Sequence, residues 1–208
     1  MPPSDLKLYQ AHFVEKDHTR FDLFQTLAER YGIQSAMYPG SFVHITPSFV
    51  YPEVAYVDTD KRAKKFFTNE EVAQFITKEK QYEEDANFRF HAQSYSDPIP
   101  EPENHFALLI SQWAGFISEH CTQHLKIGGY LLANNSHGDA SMASIDERYQ
   151  LVAVINRRKD RHIISTKNLE SYLIPKKDVT ITKDYLHSIG RGIGYTKSAG
   201  MYLFKRTN

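Results

Sequence analysis

Apolar residues at Phe21, Phe24, Leu27, Ala28 and Tyr31 recur at helical spacing, so the stretch HTRFDLFQTLAERYG predicts an amphipathic helix. Gly32 follows it and can take the left-handed cap. The pattern then changes. IQSAMYPG is a short apolar piece, and EVAYVD is a β-branched and aromatic run that predicts a buried strand. KRAKKFF begins a helix that breaks near Thr68, where TNEE offers a capping box, Thr68 with Glu71, ahead of Val72, Phe75 and Ile76. FRFH predicts another strand, and the proline-rich, acidic SDPIPEPEN an irregular loop.

FALLIS, 106–111, is apolar throughout, as expected of a parallel strand covered on both faces. A helix should follow, carrying Phe116, Ile117, Cys121, His124 and Leu125 near one face and ending at Lys126 and the pair Gly128–Gly129. YLLANN predicts the next strand. The tail differs in kind: YQLVAVIN, RHIIS and AGMYLFKR read as strands, and ITKDYLHSIG as a helix. Alternation of strands and helices predicts an α/β, doubly wound, mostly parallel sheet, and the strand-rich end predicts an antiparallel edge strand. The length fits a single domain, 1–208, with its core over about 20–140 and a strand-rich part over 141–208.

Composition narrows the class. Hydrophobic residues make up 41% and aromatics 13%, enough for a sizeable core. Twenty-five basic residues balance twenty-five acidic ones, so no global charge points to nucleic acid or an anionic membrane, and RRKDRH, 157–162, reads as a solvated loop or strand end rather than a phosphate contact. Cys121 is the only cysteine, which excludes an intrachain disulfide and fits an intracellular, cytoplasmic protein. MPPSDLKLYQ lacks the basic start and apolar stretch of a signal peptide, and no apolar run is long enough to span a bilayer.

The order of these pieces resembles the class I S-adenosylmethionine-dependent methyltransferases, over roughly residues 20–140 and more loosely to the end. Three stretches carry the likeness: VAYVDTDKRA, similar to the second-strand signature; FALLISQWAG, similar to the fourth strand and its loop; and LKIGGYLLANN, similar to the glycine turn leading into the fifth strand. In open α/β sheets ligands lie beyond the carboxyl ends of the strands, near the point where strand order reverses. The resemblance implies that Asp58 holds the cofactor's ribose, with Asp60 as second candidate. It implies that Tyr38, Gly40 and Ser41 of YPGS pass near the methionine end, Gly40 permitting the close approach. Ser94, in the stretch after the third strand, and Gln112, after the fourth, would complete the cofactor contacts.

The sequence also departs from that pattern. The first loop holds one glycine where the family usually has two or three. Its crossover, SFVHITPSFV, contains Pro47 and predicts a very brief or distorted helix. HAQSYSD offers Gln93, Ser94 and Asp97 where an adenine-reading acid is usual, and Ala107 replaces the aspartate that usually opens the fourth strand. Tyr38, Phe42 and Phe49 either stack on adenine or close the core in place of a proper helix.

NNSHGDA, 134–140, should leave the fifth strand at the sheet's carboxyl edge, where catalytic groups sit in this architecture. There His137 would act as a general base oriented by Asp139, with Asn135 and Trp113 touching substrate. The same residues are ordinary turn formers, and Trp113 would pack as readily as stack. GRGIG, 190–194, spells G-x-G-x-G but follows a helix rather than a strand, so a loop is the better reading. His120 and His124 with Cys121 leave a metal shell incomplete, so no metal is expected. The motif Asn/Asp-Pro-Pro-Tyr/Phe of DNA amino-methyltransferases is absent, SQWAG standing in its place, and no nucleic-acid substrate is expected.

These readings combine into a methyltransferase that uses S-adenosylmethionine and a small-molecule or peptide acceptor. Two rivals stand beside it. One is a non-catalytic methyltransferase-like protein that binds a metabolite or protein partner. The other is a nicotinamide-dependent Rossmann enzyme, which lacks its G-x-G-x-x-G. A neutral composition says nothing about the oligomeric state.

Overall fold

The computed structural model describes residues 6–208; the first five residues of the amino-terminal stretch read above lie outside the described residues. The chain divides into two compact units, Met1–Ile99 and Pro100–Asn208.

The first unit carries three parallel strands, β1 Ser35–Pro39, β2 Glu53–Val57 and β3 Asn87–His91, in the order β3-β2-β1. Helix Phe21–Tyr31 forms as its spacing predicts. It buries Leu23, Phe24 and Leu27 and ends at Gly32, whose φ of 64° is the left-handed cap. The first crossover contains only the four-residue helix Pro47–Val50, with proline at the helix start where its missing N–H costs nothing. Aromatic packing does the work of the absent helix. Phe49 meets Tyr9 and Phe75 edge-on, and Tyr51, fully buried, meets Phe24 and donates its hydroxyl to the Phe24 carbonyl. Phe49 and Tyr51 therefore belong to the core.

Helices Lys61–Phe67 and Glu70–Glu79 follow, but the cap between them differs from expectation. Asn69, not Thr68, is the N-cap: its side chain accepts from the Glu71 amide at 2.9 Å. Thr68 closes the preceding helix, its hydroxyl donating to the Lys64 and Lys65 carbonyls. Asparagine is as good an N-cap as threonine, and one carbonyl-bound hydroxyl cannot serve both helices.

The second unit holds β4 Phe106–Ser111, β5 Leu125–Ala133, β6 Tyr149–Arg158, β7 Arg161–Ser165 and β8 Met201–Arg206, in the order β4-β5-β8-β6-β7. β4 and β5 are parallel, and every pairing beyond β5 is antiparallel. The antiparallel edge expected from the strand-rich tail is formed by β8, β6 and β7. The helix after β4 is shorter than its pattern: Ile117–Cys121 gives way to a tight turn at Thr122–His124, and Leu125, Lys126, Gly128 and Gly129 already belong to β5. The glycines account for the early strand. The β4–β5 register shifts between Phe106 and Leu108, and a Cβ at Gly129 would crowd Leu125 and the Lys126 and Ala107 carbonyls. No described helix is long and apolar enough to cross a membrane.

Candidate functional site

β1 and β2 end side by side, and the chain beyond them is pinned. The Gly40 amide donates to the Val57 carbonyl at 2.7 Å, with Gly40 at φ 67°, and the Asp58 amide donates to the His91 carbonyl at 3.1 Å. Asp58 then ties the two strand ends together. Its Oδ2 accepts from the Phe42 amide at 2.7 Å, and its Oδ1 accepts from the Asp60 amide at 2.8 Å. Asp60 caps helix Lys61–Phe67 by accepting from the Arg62 amide, and its ion pair with the Arg62 guanidinium at 2.6 Å lowers its carboxyl to about 2. Arg62 in turn lies 4.8 Å above the Phe42 ring. Asp58, Phe42, Asp60 and Arg62 form one interlocked corner at the carboxyl edge.

Phe42 sits in that corner at φ 48°, a left-handed backbone that phenylalanine rarely adopts. Ser41 is buried, its hydroxyl reaching the Phe42 carbonyl at 3.4 Å. Tyr38 is buried too, with its hydroxyl 3.2 Å from His44 Nδ1, and burial raises its pKa to about 12. Ser94 lies after β3, where its hydroxyl accepts from the Ser96 amide; Gln93 turns to the Pro98 carbonyl.

His44 escaped the reading of the sequence. It is fully buried, stacked on Phe13 with centroids 4.2 Å apart and 3° between the planes. Its Nε2 lies 3.0 Å from the Thr19 carbonyl, which identifies that nitrogen as the one carrying hydrogen. Burial, reinforced by the Arg20 charge, lowers its pKa to about 3, so the ring is neutral at ordinary pH. An isolated histidine in an irregular crossover gives no periodic signal that would have found it.

In the second unit, Trp113 follows β4 with 48% of its surface exposed and a φ of 61°. A large side chain held outward on a strained backbone is a common mark of a functional position. Gln112 beside it is buried instead, its amide 3.2 Å from Met201 Sδ.

After β5, Asn135 and Asp139 are committed inside the unit. Asn135 donates to the Ile193 carbonyl at 2.9 Å and accepts from the Ser141 amide and hydroxyl. Asp139 is buried and accepts from the Ser118 amide at 3.1 Å and the Ser118 hydroxyl at 2.5 Å. Burial raises its carboxyl to about 6, against the opposing bonds from Ser111 and Ser118. His137 is exposed, its Nδ1 3.0 Å from the Ser136 hydroxyl. The expected orientation of His137 by Asp139 is therefore not formed. Asp139 opens the helix Asp139–Ser144, which turns its carboxylate back toward Ser118. Among the described residues no group of three or more His, Cys, Asp or Glu side chains is placed to hold a metal.

No family profile matches this sequence, and no curated protein matches it. Solved structures do. The O-methyltransferase TomG from Streptomyces achromogenes, in complex with S-adenosylmethionine, aligns over 100% of this chain and 92% of its own, with TM-score 0.50 and 13% identity. YcgJ from Bacillus subtilis aligns over 92% of this chain and 99% of its own, with TM-score 0.50 and 14% identity. The fold is that of the class I methyltransferases.

On that fold Asp58 stands at the end of the second strand. Its carboxylate has about four acceptor positions, and two are taken by amides, so acceptor capacity remains for a pair of vicinal hydroxyls. Those residues fit a ribose. Gly40, at positive φ beside Asp58's strand, adopts a backbone that favours glycine.

Proposed function

We propose that this protein binds S-adenosylmethionine at the corner built by Gly40, Ser41 and Asp58 and transfers its methyl group to a small-molecule or peptide acceptor. The observation that carries the proposal is the placement of Asp58. A carboxylate at the end of β2 fastens the loop that leaves β1, and still has lone pairs to accept from a ribose. TomG, of similar fold and bound to that cofactor, supports the same reading.

When bound, the cofactor supplies an electrophilic sulfonium methyl, and the protein's part is to orient the two reactants. Asp58 would accept from the ribose hydroxyls, and Tyr38 and Ser41 shape the floor of the β1 loop. Trp113 offers an exposed ring on which a flat acceptor can stack. His137 is the titratable group beyond β5 able to take an acceptor's proton at Nε2, since Nδ1 faces Ser136.

A second reading is favoured by the Phe42 amide and ring at Asp58. A corner so well satisfied by its own chain can serve as structure alone, and the protein would then be a non-catalytic binder of a metabolite or protein partner. Isothermal titration calorimetry with S-adenosylmethionine and S-adenosylhomocysteine separates the two. Micromolar binding by the wild type, weakened by about 1–3 kcal/mol in Asp58→Ala, is the expected result. No binding at millimolar ligand by folded protein would leave the non-catalytic reading.

A further inference from the structure

The second unit contains a cavity of about 550 Å³ between the segment 176–179, helix Lys183–Ile189 and the loop 191–194. Its charge is one-sided. Lys176, Lys177 and Arg191 line it, against one acid, Asp178. Among the described residues none of these three cations forms an ion pair, and the Glu119 carboxylate is taken by Lys183 and His187. Three cations against one carboxylate around one concave space leave it with a net positive potential. The remaining wall is apolar: Val179, Ile189 and Ile193, with the ring of Tyr185.

The cavity is built rather than incidental. Pro175 and Tyr195 form an antiparallel bridge, with the Lys176 amide donating to the Gly194 carbonyl at 2.8 Å and the Thr196 amide to the Ile174 carbonyl at 2.8 Å. The loop below is fastened from the other side. Asn135 donates to the Ile193 carbonyl, and the Ile193 amide donates to the Ser141 hydroxyl at 3.0 Å. Gly192 packs so tightly that a Cβ would overlap Asn135, and a Cβ at Gly138 would approach the Arg191 carbonyl to 3.1 Å. The cationic residue Arg191 is thereby mounted against the turn that carries His137.

We infer that this cavity binds a small organic anion, a phosphate ester or carboxylate whose charge meets Lys176, Lys177 and Arg191 and whose apolar body lies on Val179, Ile189, Ile193 and Tyr185. Arg191 supplies a planar fork suited to either oxyanion, and the two lysines supply mobile point charges. The inference does not depend on binding of S-adenosylmethionine.

The test uses phenyl phosphate, benzoate, inorganic phosphate and neutral benzyl alcohol, titrated into the ¹⁵N-labelled full chain. The Gly192, Gly194 and Lys176 amides are the reporters. Saturable shifts with phenyl phosphate or benzoate, weakened by about tenfold in Arg191→Gln and lost in the Lys176→Gln/Lys177→Gln/Arg191→Gln variant, are expected. Tighter phenyl phosphate assigns a phosphate ester, and tighter benzoate a carboxylate. The three sites are exposed, so the variant should keep the wild-type melting temperature, which confirms that lost binding is not lost folding. Equal shifts with benzyl alcohol, or undiminished binding by the triple variant, overturn the inference. Inorganic phosphate binding as tightly as phenyl phosphate overturns the organic part of it.

Discussion

The amide of Phe42 donates to Asp58 Oδ2 at 2.7 Å, joining the loop after β1 to the end of β2 across sixteen residues. The bond makes one carboxylate both a strut and the candidate ribose acceptor. Removing it should have two separable consequences. In Asp58→Ala the orphaned amides cost stability of about 1–3 kcal/mol, read as a lower denaturant midpoint. In Asp58→Glu the charge remains but the longer side chain misplaces it, so cofactor affinity should fall by calorimetry even where stability recovers. Full affinity in both variants would remove Asp58 from the site.

Trp113 is the only tryptophan in the chain and is half exposed at a positive φ. Trp113→Gly relieves the left-handed backbone while losing the contacts of the buried half of the ring. Because the two effects oppose each other, its unfolding free energy should stay within about 1 kcal/mol of wild type. Methyl transfer should nevertheless fall through a higher KM for the acceptor. Quenching of the wild-type emission on adding an acceptor gives an independent reading, and an unchanged KM in the variant would return Trp113 to a surface role.

Asp139 imposes a definite pH dependence. Its folded pKa of about 6 lies above the ordinary value of 3.8, so the native state holds a proton that the unfolded chain releases between those values. Stability from this group is full below about pH 4 and is lost as pH rises through about 6. Asp139→Asn removes the ionisation while keeping the shape. Relative to wild type, the variant should gain on the order of 3 kcal/mol between pH 4 and pH 8 in urea unfolding. A constant difference across that range would show that Asp139 is not held as described.

His44 acts in the opposite sense. Its folded pKa of about 3 lies below the ordinary 6.5, so the unfolded chain binds a proton that the native state refuses. Stability therefore rises with pH from about 3 to about 6.5. His44→Gln should flatten that slope, at the cost of the stacking on Phe13. Because the two groups oppose each other near pH 5, only the single variants expose either one.

Gly192→Ala places a methyl group inside the Asn135 carbonyl contact. The loop must lift, breaking the bonds from Asn135 to the Ile193 carbonyl and from the Ile193 amide to Ser141. A loss of about 2–4 kcal/mol is expected, from overpacking together with two hydrogen bonds. Gly194→Ala serves as the control, since its nearest neighbour, Lys176 Cδ, is 3.9 Å away. Similar melting temperatures for the two variants would contradict the packing.

Periodicity and composition determined the elements whose burial is local. Helix Phe21–Tyr31 and strands β1, β2, β4, β6 and β8 follow from apolar content and spacing, because each buries residues that its own pattern marks. β3 and β7 read as strands without burying any residue fully. The resemblance of VAYVDTDKRA and LKIGGYLLANN to known patterns was legible for the same reason: a strand end and a glycine turn are written in consecutive residues. What long-range contact decides was not legible. Asn69 took the cap from Thr68 in a competition between two helix ends. Asp139 and Asn135 read as candidates for chemistry, yet partners 21 and 58 residues away engaged their side chains within the fold. His44 became a buried neutral ring, and Lys176 and Arg191 came to share a cavity, only when distant segments closed around them. Hydrogen-bond partners, desolvation and mutual charge depend on distance in space, and sequence spacing carries that distance only within a helix turn, a strand or a hairpin.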